Sequence, residues 1–120
     1  MQILFHSTNG NAPSVNLREA LLQGQAPDRG LYLPLKFPAL GPDEIAGFAN
    51  LPYHEIAFRV LGKFTEGCIP ADALAEMCRD AYHFQIPLEK VCGRTHVMRL
   101  DQGPTASFKD FAAQMMARIF

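Results

Sequence analysis

The residue whose side chain is most suited to covalent chemistry is Lys109, which follows a short loop of small residues near the end of the chain. A strand is predicted to end near Leu100 and a helix to begin near Ser107, so that Lys109 falls in the first helical turn. A cation there opposes the helix dipole at a cost of about 0.3–1 kcal/mol. Burial would favour the neutral amine more strongly, and a neutral lysine amine can form an imine with a carbonyl compound. Lys109 is therefore a candidate for covalent catalysis, against the commoner interpretation of a solvated surface lysine.

The residues around Lys109 predict how the start of this helix is built. Ser107 and Asp110 match the S/T-x-x-D/E capping pattern, which predicts that the Asp110 carboxylate accepts a hydrogen bond from the Ser107 backbone. Thr105 is interpreted as a turn residue. The helical spacing predicts that one apolar face of the helix is buried as core. The members of this face are Phe108, Phe111, Ala112, Met115 and Ile119.

The elements before this loop are predicted to be short strands and helices, separated by turns rich in proline and glycine. Asn16 and Glu19 form a capping-box pattern, and Gly24 is a typical helix stop. Proline is tolerated in the first turn of a helix, so Pro52 and Pro70 each predict a helix start. The predicted strands are residues 3–5 (an edge strand), 31–33 and 95–100, and the predicted helices are residues 17–24, 43–49, 52–64, 70–81 and 107–120.

Length and composition exclude several classes of protein. The chain has 120 residues, of which 48% are hydrophobic, and this is enough for one domain with its own core. The net charge is −1, and no cluster of basic residues indicates contact with nucleic acid or with a membrane surface. The first residues turn polar too early for a signal peptide, and no apolar run is long enough to span a bilayer. These features predict a soluble cytoplasmic protein.

The cysteines and histidines do not form a metal site or a disulfide framework in the sequence. Three cysteines at wide spacing contain no C-x-x-C pair, so we interpret them as reduced side chains that act as small core hydrophobes. Helical spacing places one of them on a buried face with three apolar residues. The cysteines are Cys68, Cys78 and Cys92, and the one on the predicted buried face is Cys78, together with Leu74, Met77 and Ala81. The histidines, which do not cluster, are His6, His54, His83 and His96.

A family resemblance extends this interpretation. Residues 103–110, Gly-Pro-Thr-Ala-Ser-Phe-Lys-Asp, resemble the threonine synthase signature, in which glycine-proline-threonine and phenylalanine-lysine-aspartate flank two variable residues. Residues 7–10, 19–24 and 30–34 are similar, in the same order, to the N-terminal stretch of that family. Many members carry histidine directly before the glycine-proline-threonine run, where this chain has Gln102, and we assign no role to that side chain.

The resemblance implies a pyridoxal-phosphate (PLP) enzyme that converts O-phosphohomoserine and water to threonine and phosphate. It implies a carbon–oxygen lyase in which Lys109 carries the cofactor covalently and Phe108 shapes the cofactor site. The fold class that it implies is α/β, with a small α+β-like N-terminal domain that leads into a fold-type II PLP enzyme. Residues 1–100 would form the N-terminal domain, and residues 101–120 would begin the catalytic domain.

The end of the sequence leads to a prediction about the fragment itself. The chain stops inside an amphipathic helix, so we expect a piece of a longer enzyme that is inactive alone and lacks its cofactor. The remainder of the polypeptide and O-phosphohomoserine are then the expected partners. Two alternatives stay open, a standalone scaffold domain that retains the motif and another fold-type II PLP lyase. The latter should lack the N-terminal match.

Overall fold

The computed structural model describes residues 2–120, which form short strands and helices that belong to two compact units. One unit contains the residues up to Ala49 together with Arg59–Ala71, and the other contains Asn50–Phe58 together with Asp72–Phe120. The predicted assignment of residues 1–100 and 101–120 to two domains stays a prediction. In chain order the elements are β1 (Leu4–Ser7), β2 (Val15–Asn16), α1 (Leu17–Gln23), β3 (Tyr32–Pro34), α2 (Pro42–Ala46), α3 (Tyr53–Thr65), α4 (Ala71–Ala81), β4 (Leu88–Cys92), β5 (Thr95–Met98) and α5 (Asp110–Ile119).

The first unit contains a three-stranded antiparallel sheet with β1 at its centre. Phe5 is opposite Val15 on β2 and opposite Pro34 on β3. Phe5, Val15 and Ala20 form its buried core, since each is about 8% exposed. The prediction that residues 3–5 form an edge strand was therefore wrong. The two-residue β2 that pairs with the second side of β1 is too short to be recognised from hydrophobic periodicity.

Helix α1 begins and ends as its sequence predicts. The Asn16 side chain accepts a hydrogen bond from the Glu19 backbone N–H at 2.9 Å, and the Glu19 carboxylate accepts one from the Asn16 N–H at 3.0 Å. Gly24 closes the helix with φ +69°, a conformation that favours glycine, and its N–H donates to the Ala20 carbonyl. The predicted capping box and helix stop are both confirmed.

A buried serine and an aspartate hold the turn before β3 against the end of β1. Ser7 is 2% exposed, and its hydroxyl donates to Asp28 Oδ1 at 2.6 Å. The backbone N–H of Gly30 also donates to Oδ1, at 3.0 Å, and that of Asn11 donates to Oδ2, at 2.9 Å. These hydrogen bonds, led by that from Ser7, hold the pKa of the Asp28 carboxyl below its ordinary value. A side chain at Gly30 would collide with the Ser7 hydroxyl, so the turn also requires glycine there.

Substituting Asp28 with asparagine is expected to destabilise this unit at neutral pH and to reduce its acid sensitivity. The amide turns one acceptor oxygen into a donor, so at least one of the three donors loses its partner. Because the folded pKa is lowered, the carboxylate stabilises the fold above the ordinary value of 3.8, and this contribution is lost as the pH falls below it. Denaturation midpoints of the two proteins should therefore differ at pH 7 and converge below about pH 3.8.

The control for this experiment is Glu76→Gln, which neutralises an exposed carboxylate on α4. It should leave the midpoint within experimental error at both pH values, since isolated surface charges contribute little. A constant difference between Asp28→Asn and the original chain from pH 7 to acid would show that the Asp28 charge does not stabilise the turn.

In the second unit, α4 buries three of the four residues predicted for its buried face, and the fourth, Met77, is partly buried. Leu74 is 2% exposed, and Cys78 and Ala81 are fully buried. Burial raises the pKa of the Cys78 thiol, as expected for a cysteine that acts as a small hydrophobe. All three cysteines are free, but Cys92 is exposed, so the interpretation as core residues does not hold for that one.

The hairpin of β4 and β5 was only half predicted. β5 lies within the predicted strand 95–100, whereas β4 was not predicted, because every residue of both strands is exposed and no alternation of burial marks it. Arg99 follows the hairpin, and its guanidinium contacts Glu89 and Asp101 at 2.7 Å each. That guanidinium holds the pKa of Asp101 well below its usual range. Among residues 2–120, no helix is long and apolar enough to cross a membrane.

Candidate functional site

The segment from Gly103 to Lys109 forms two successive turns that lead directly into α5. The N–H of Ala106 donates to the Gly103 carbonyl at 3.0 Å, and that of Asp110 donates to the Ser107 carbonyl at 3.0 Å. Ala106 lies in the left-handed region at φ +55°, where alanine is uncommon. Lys109 is the N-cap of α5, with φ −65° and ψ −17°. The helix thus begins at Asp110, later than the predicted start near Ser107.

Asp110 is the polar centre of this segment. Its side chain is 2% exposed, its Oδ2 accepts from the Thr105 backbone N–H at 2.9 Å, and its Oδ1 accepts from the Thr105 hydroxyl at 2.7 Å. The hydrogen bond from the Thr105 side chain is the main cause that holds the pKa of Asp110 below its ordinary value. Gly103 packs against the same carboxylate, since an added Cβ would lie 2.9 Å from Asp110 Cγ. We call Gly103, Thr105 and Asp110 the loop latch.

The latch forms beside the Ser107–Asp110 contact that the sequence predicts. The Ser107 hydroxyl accepts from the Lys109 N–H at 3.3 Å, and no side chain caps α5. A hydrogen bond from the Ser107 N–H also contributes to lowering the pKa of Asp110, as the predicted contact requires, while the main hydrogen bonds of this carboxylate come from Thr105.

The Lys109 amine is the exposed functional group of the loop. Its Nζ lies 4.4 Å from the centroid of the Phe108 ring, which is itself 61% exposed. Within residues 2–120, none of the ion pairs involves Lys109. The burial that would favour the neutral amine is therefore not supplied by the described part of the chain. Phe108 and Ala112 are exposed, so their predicted burial was wrong, whereas Met115 is buried and Phe111 and Ile119 are partly buried.

An aromatic cluster that the sequence analysis missed anchors the first turn of α5. The Phe111 ring lies 5.3 Å from that of Phe84 and 5.8 Å from that of Tyr53, both edge-to-face. The Tyr82 hydroxyl donates to the Phe111 carbonyl at 3.0 Å, and burial raises the pKa of Tyr82 to about 12. A signal was present, since Tyr82 continues the buried spacing of Leu74 and Cys78 at i and i+4.

The other end of α5 is anchored to the end of α4 by an ion pair. Arg118 Nε contacts Asp80 Oδ2 at 2.5 Å, and Arg118 Nη2 donates to the Asp80 carbonyl at 3.2 Å. Because one end of α5 packs on Tyr82 and Phe84 and the other pairs with Asp80 of α4, the helix gives the loop a fixed base. Lys109 therefore projects from a short loop that the latch closes on one side and the anchored helix α5 holds on the other.

Known proteins match this chain over nearly all of its length. A family model described as "Threonine synthase N terminus" matches residues 4–82. The threonine synthase of Pseudomonas aeruginosa is 41% identical over 120 residues, which cover 96% of this chain and 26% of that protein. A crystal structure of a PLP-bound threonine synthase from Brucella melitensis matches with a TM-score of 0.92 at 39% identity, over 98% of this chain and 26% of that chain. The threonine synthase of Escherichia coli matches with a TM-score of 0.89 at 28% identity, over 97% and 27% of the two chains.

These matches show that the chain belongs to the threonine synthase family, and they confirm the predicted resemblance. The chain spans about a quarter of the length of the relatives it matches. Its mixture of short strands and helices is that of the N-terminal part of threonine synthase structures, as predicted for this family of fold-type II enzymes. The family model ends at residue 82, before the loop, so the roles of Lys109 and Phe108 stay predictions.

Proposed function

We propose that the intact protein to which this chain belongs is a PLP-dependent threonine synthase with Lys109 as its cofactor lysine. The reaction converts O-phosphohomoserine and water to threonine and phosphate, which makes the enzyme a carbon–oxygen lyase acting on a phosphate. The observation that carries the assignment is the place of Lys109 in the phenylalanine-lysine-aspartate run of a threonine synthase family chain, on a loop that the Thr105–Asp110 hydrogen bonds hold at the start of α5. The expected cytoplasmic location is part of the same proposal.

PLP carries an aldehyde group, and the residues present fit the part of the cofactor site that would hold this aldehyde. A primary amine is the group that binds this aldehyde, and Lys109 offers one without a competing carboxylate among residues 2–120. Beside it, the exposed face of Phe108 offers an apolar surface of the kind that planar cofactor rings contact. When bound, PLP supplies an electron sink for a carbanion next to the substrate nitrogen.

The residues of this chain then perform positioning and proton transfer. The Lys109 amine would hold the cofactor, and as a free amine it could accept a proton and return it. Only the neutral amine can perform these roles, so the site must exclude water around the Lys109 side chain. The described residues leave this side chain exposed. The groups that bind the cofactor phosphate, the pyridine ring and the substrate are proposed to come from the remainder of the polypeptide. For this reason we propose that residues 1–120 alone are inactive and do not retain the cofactor.

The alternative of another fold-type II PLP lyase is disfavoured by the N-terminal match. Such an enzyme would share the cofactor lysine but not residues 4–82, which the family model matches. The alternative of a standalone scaffold domain differs from the proposal in the size of the native protein and in cofactor attachment, and both can be measured.

The experiment that tests the proposal is borohydride reduction of native extract, followed by intact-mass measurement and peptide mapping. Reduction converts an imine between lysine and PLP into a stable amine that survives digestion. We expect a protein about four times longer than this chain, with the adduct on Lys109. An adduct on another lysine would disprove the role of Lys109. A native chain that ends near Phe120 and carries no adduct would show the scaffold alternative to be right.

A further inference from the structure

We infer that Asp110 is a positioning residue for Lys109, and that its buried carboxylate fixes the loop by binding Thr105. This inference rests on the proposed role of Lys109 and adds a residue that places it. Among residues 2–120 no ion pair joins Asp110 to the Lys109 amine, and the two Asp110 oxygens accept from the Thr105 N–H and hydroxyl. Asp110 acts through the backbone of the residues between Thr105 and itself.

The first argument is geometric. Thr105 and Asp110 are five residues apart, and the two hydrogen bonds between them close this stretch of chain into a ring. Lys109 lies inside the ring, directly before Asp110. Ala106, also inside it, has φ +55°, a conformation that costs energy and persists only when its surroundings hold it. The latch supplies contacts that hold it.

The second argument concerns burial. A carboxylate that is 2% exposed must find hydrogen-bond donors or lose stability through desolvation. Among residues 2–120, no ion pair involves Asp110, and the donors come from the loop. Its position at the first residue of α5 also places the charge at the favourable end of the helix dipole. The carboxylate is therefore satisfied only while the loop keeps this shape.

The third argument is that nothing else in the described structure places the Lys109 amine. Its side chain contacts the Phe108 ring and has no ion pair within residues 2–120. The position of Nζ then depends on the backbone of Lys109, and this backbone is set by the latch and the Ser107 hydroxyl on one side and by α5 on the other. A displacement of about 1 Å at such a group can cost on the order of 10²-fold in rate.

The test uses the intact holoenzyme with the variants Asp110→Ala, Thr105→Val and Thr105→Ser. Thr105→Val removes the hydroxyl donor at nearly constant shape, whereas Thr105→Ser retains the hydroxyl. Three quantities are measured for each: the fraction of Lys109 that borohydride traps, kcat separately from KM, and hydrogen exchange of peptide 103–110 in the cofactor-free enzyme. We expect Asp110→Ala to lower kcat and the trapped fraction by about 10- to 100-fold and to speed exchange of the peptide at least about tenfold. Thr105→Val should have the same effects in smaller degree, and Thr105→Ser should be near the original enzyme.

The control is Asp28→Asn, which weakens the turn before β3 in the first unit and leaves both the latch and α5 untouched. It should lower the melting temperature without changing the trapped fraction or the exchange of peptide 103–110. If Asp110→Ala melts earlier but keeps normal trapping, kcat and exchange, Asp110 is only structural and the inference fails. If the original enzyme carries no adduct on Lys109, the proposed function fails instead, while the exchange data still report on the latch.

Discussion

Substitution of Lys109 with alanine is expected to reduce threonine formation by the intact enzyme about 10²–10⁴-fold or more, and to abolish the borohydride-trapped adduct. The methyl group can neither hold the cofactor covalently nor transfer a proton, so both proposed roles of the amine are lost together. Lys109→Arg should be nearly as damaging. Its guanidinium keeps the positive charge but cannot be deprotonated in a protein, so it cannot act as the nucleophile. Turnover with saturating PLP and O-phosphohomoserine, together with peptide mapping, measures both effects.

The matched control is Lys90→Ala in the exposed strand β4. It removes an amine of the same kind from a position outside the proposed site, and turnover should stay within about twofold of the original enzyme, since exposed substitutions of this kind are usually mild. Near-normal turnover of Lys109→Ala would disprove the assignment, whatever the adduct map shows. Loss of turnover together with loss of soluble protein would be resolved by far-ultraviolet circular dichroism, in which a folded variant keeps its helical signal.

Part of this fold could be predicted from sequence because its signals are local. The capping box of Asn16 and Glu19 and the stop at Gly24 involve residues a few positions apart, and both are present in the structure. Likewise, Pro52 and Pro70 lie directly before α3 and α4. Such features depend on backbone groups within one turn, so tertiary contacts change them little.

The elements that were missed depend on contacts distant in sequence or on none at all. β2 is recognisable only through its pairing with β1, and β4 carries no burial pattern because both of its faces are exposed. The same distinction holds at the candidate site. The short spacing Ser107-x-x-Asp110 predicts the contact with the Ser107 backbone, but it does not predict the two hydrogen bonds that Asp110 accepts from Thr105. The sequence thus identifies Lys109 as the residue of interest, and the structure identifies what holds it.

The second large effect is expected at Gly103, a residue with no functional group. An added Cβ would lie 2.7 Å from Asp110 Cβ and 2.9 Å from Cγ, closer than real Cβ contacts come. The Asp110 Cβ is bonded directly to the backbone of the first residue of α5. A rotation of the Asp110 side chain therefore cannot relieve the clash, and the loop backbone must move. We expect Gly103→Ala to reduce kcat on the order of 10²-fold, because Lys109 moves with the loop. Steady-state kinetics of the intact enzyme measure this, with Gly41→Ala as control, where an added Cβ meets open space.

A double substitution separates this steric effect from a general loss of stability. In an Asp110→Gly background the atoms that oppose the new Cβ are gone, so adding Gly103→Ala should cost little beyond the loss already caused by Asp110→Gly. Contacting residues show such non-additivity, whereas independent sites add. If instead Gly103→Ala reduces kcat by the same factor in both backgrounds, the contact with Asp110 is not the cause. Glycine at position 103 would then be required for a reason other than its contact with Asp110. The aromatic contacts of Phe111 would still hold the start of α5.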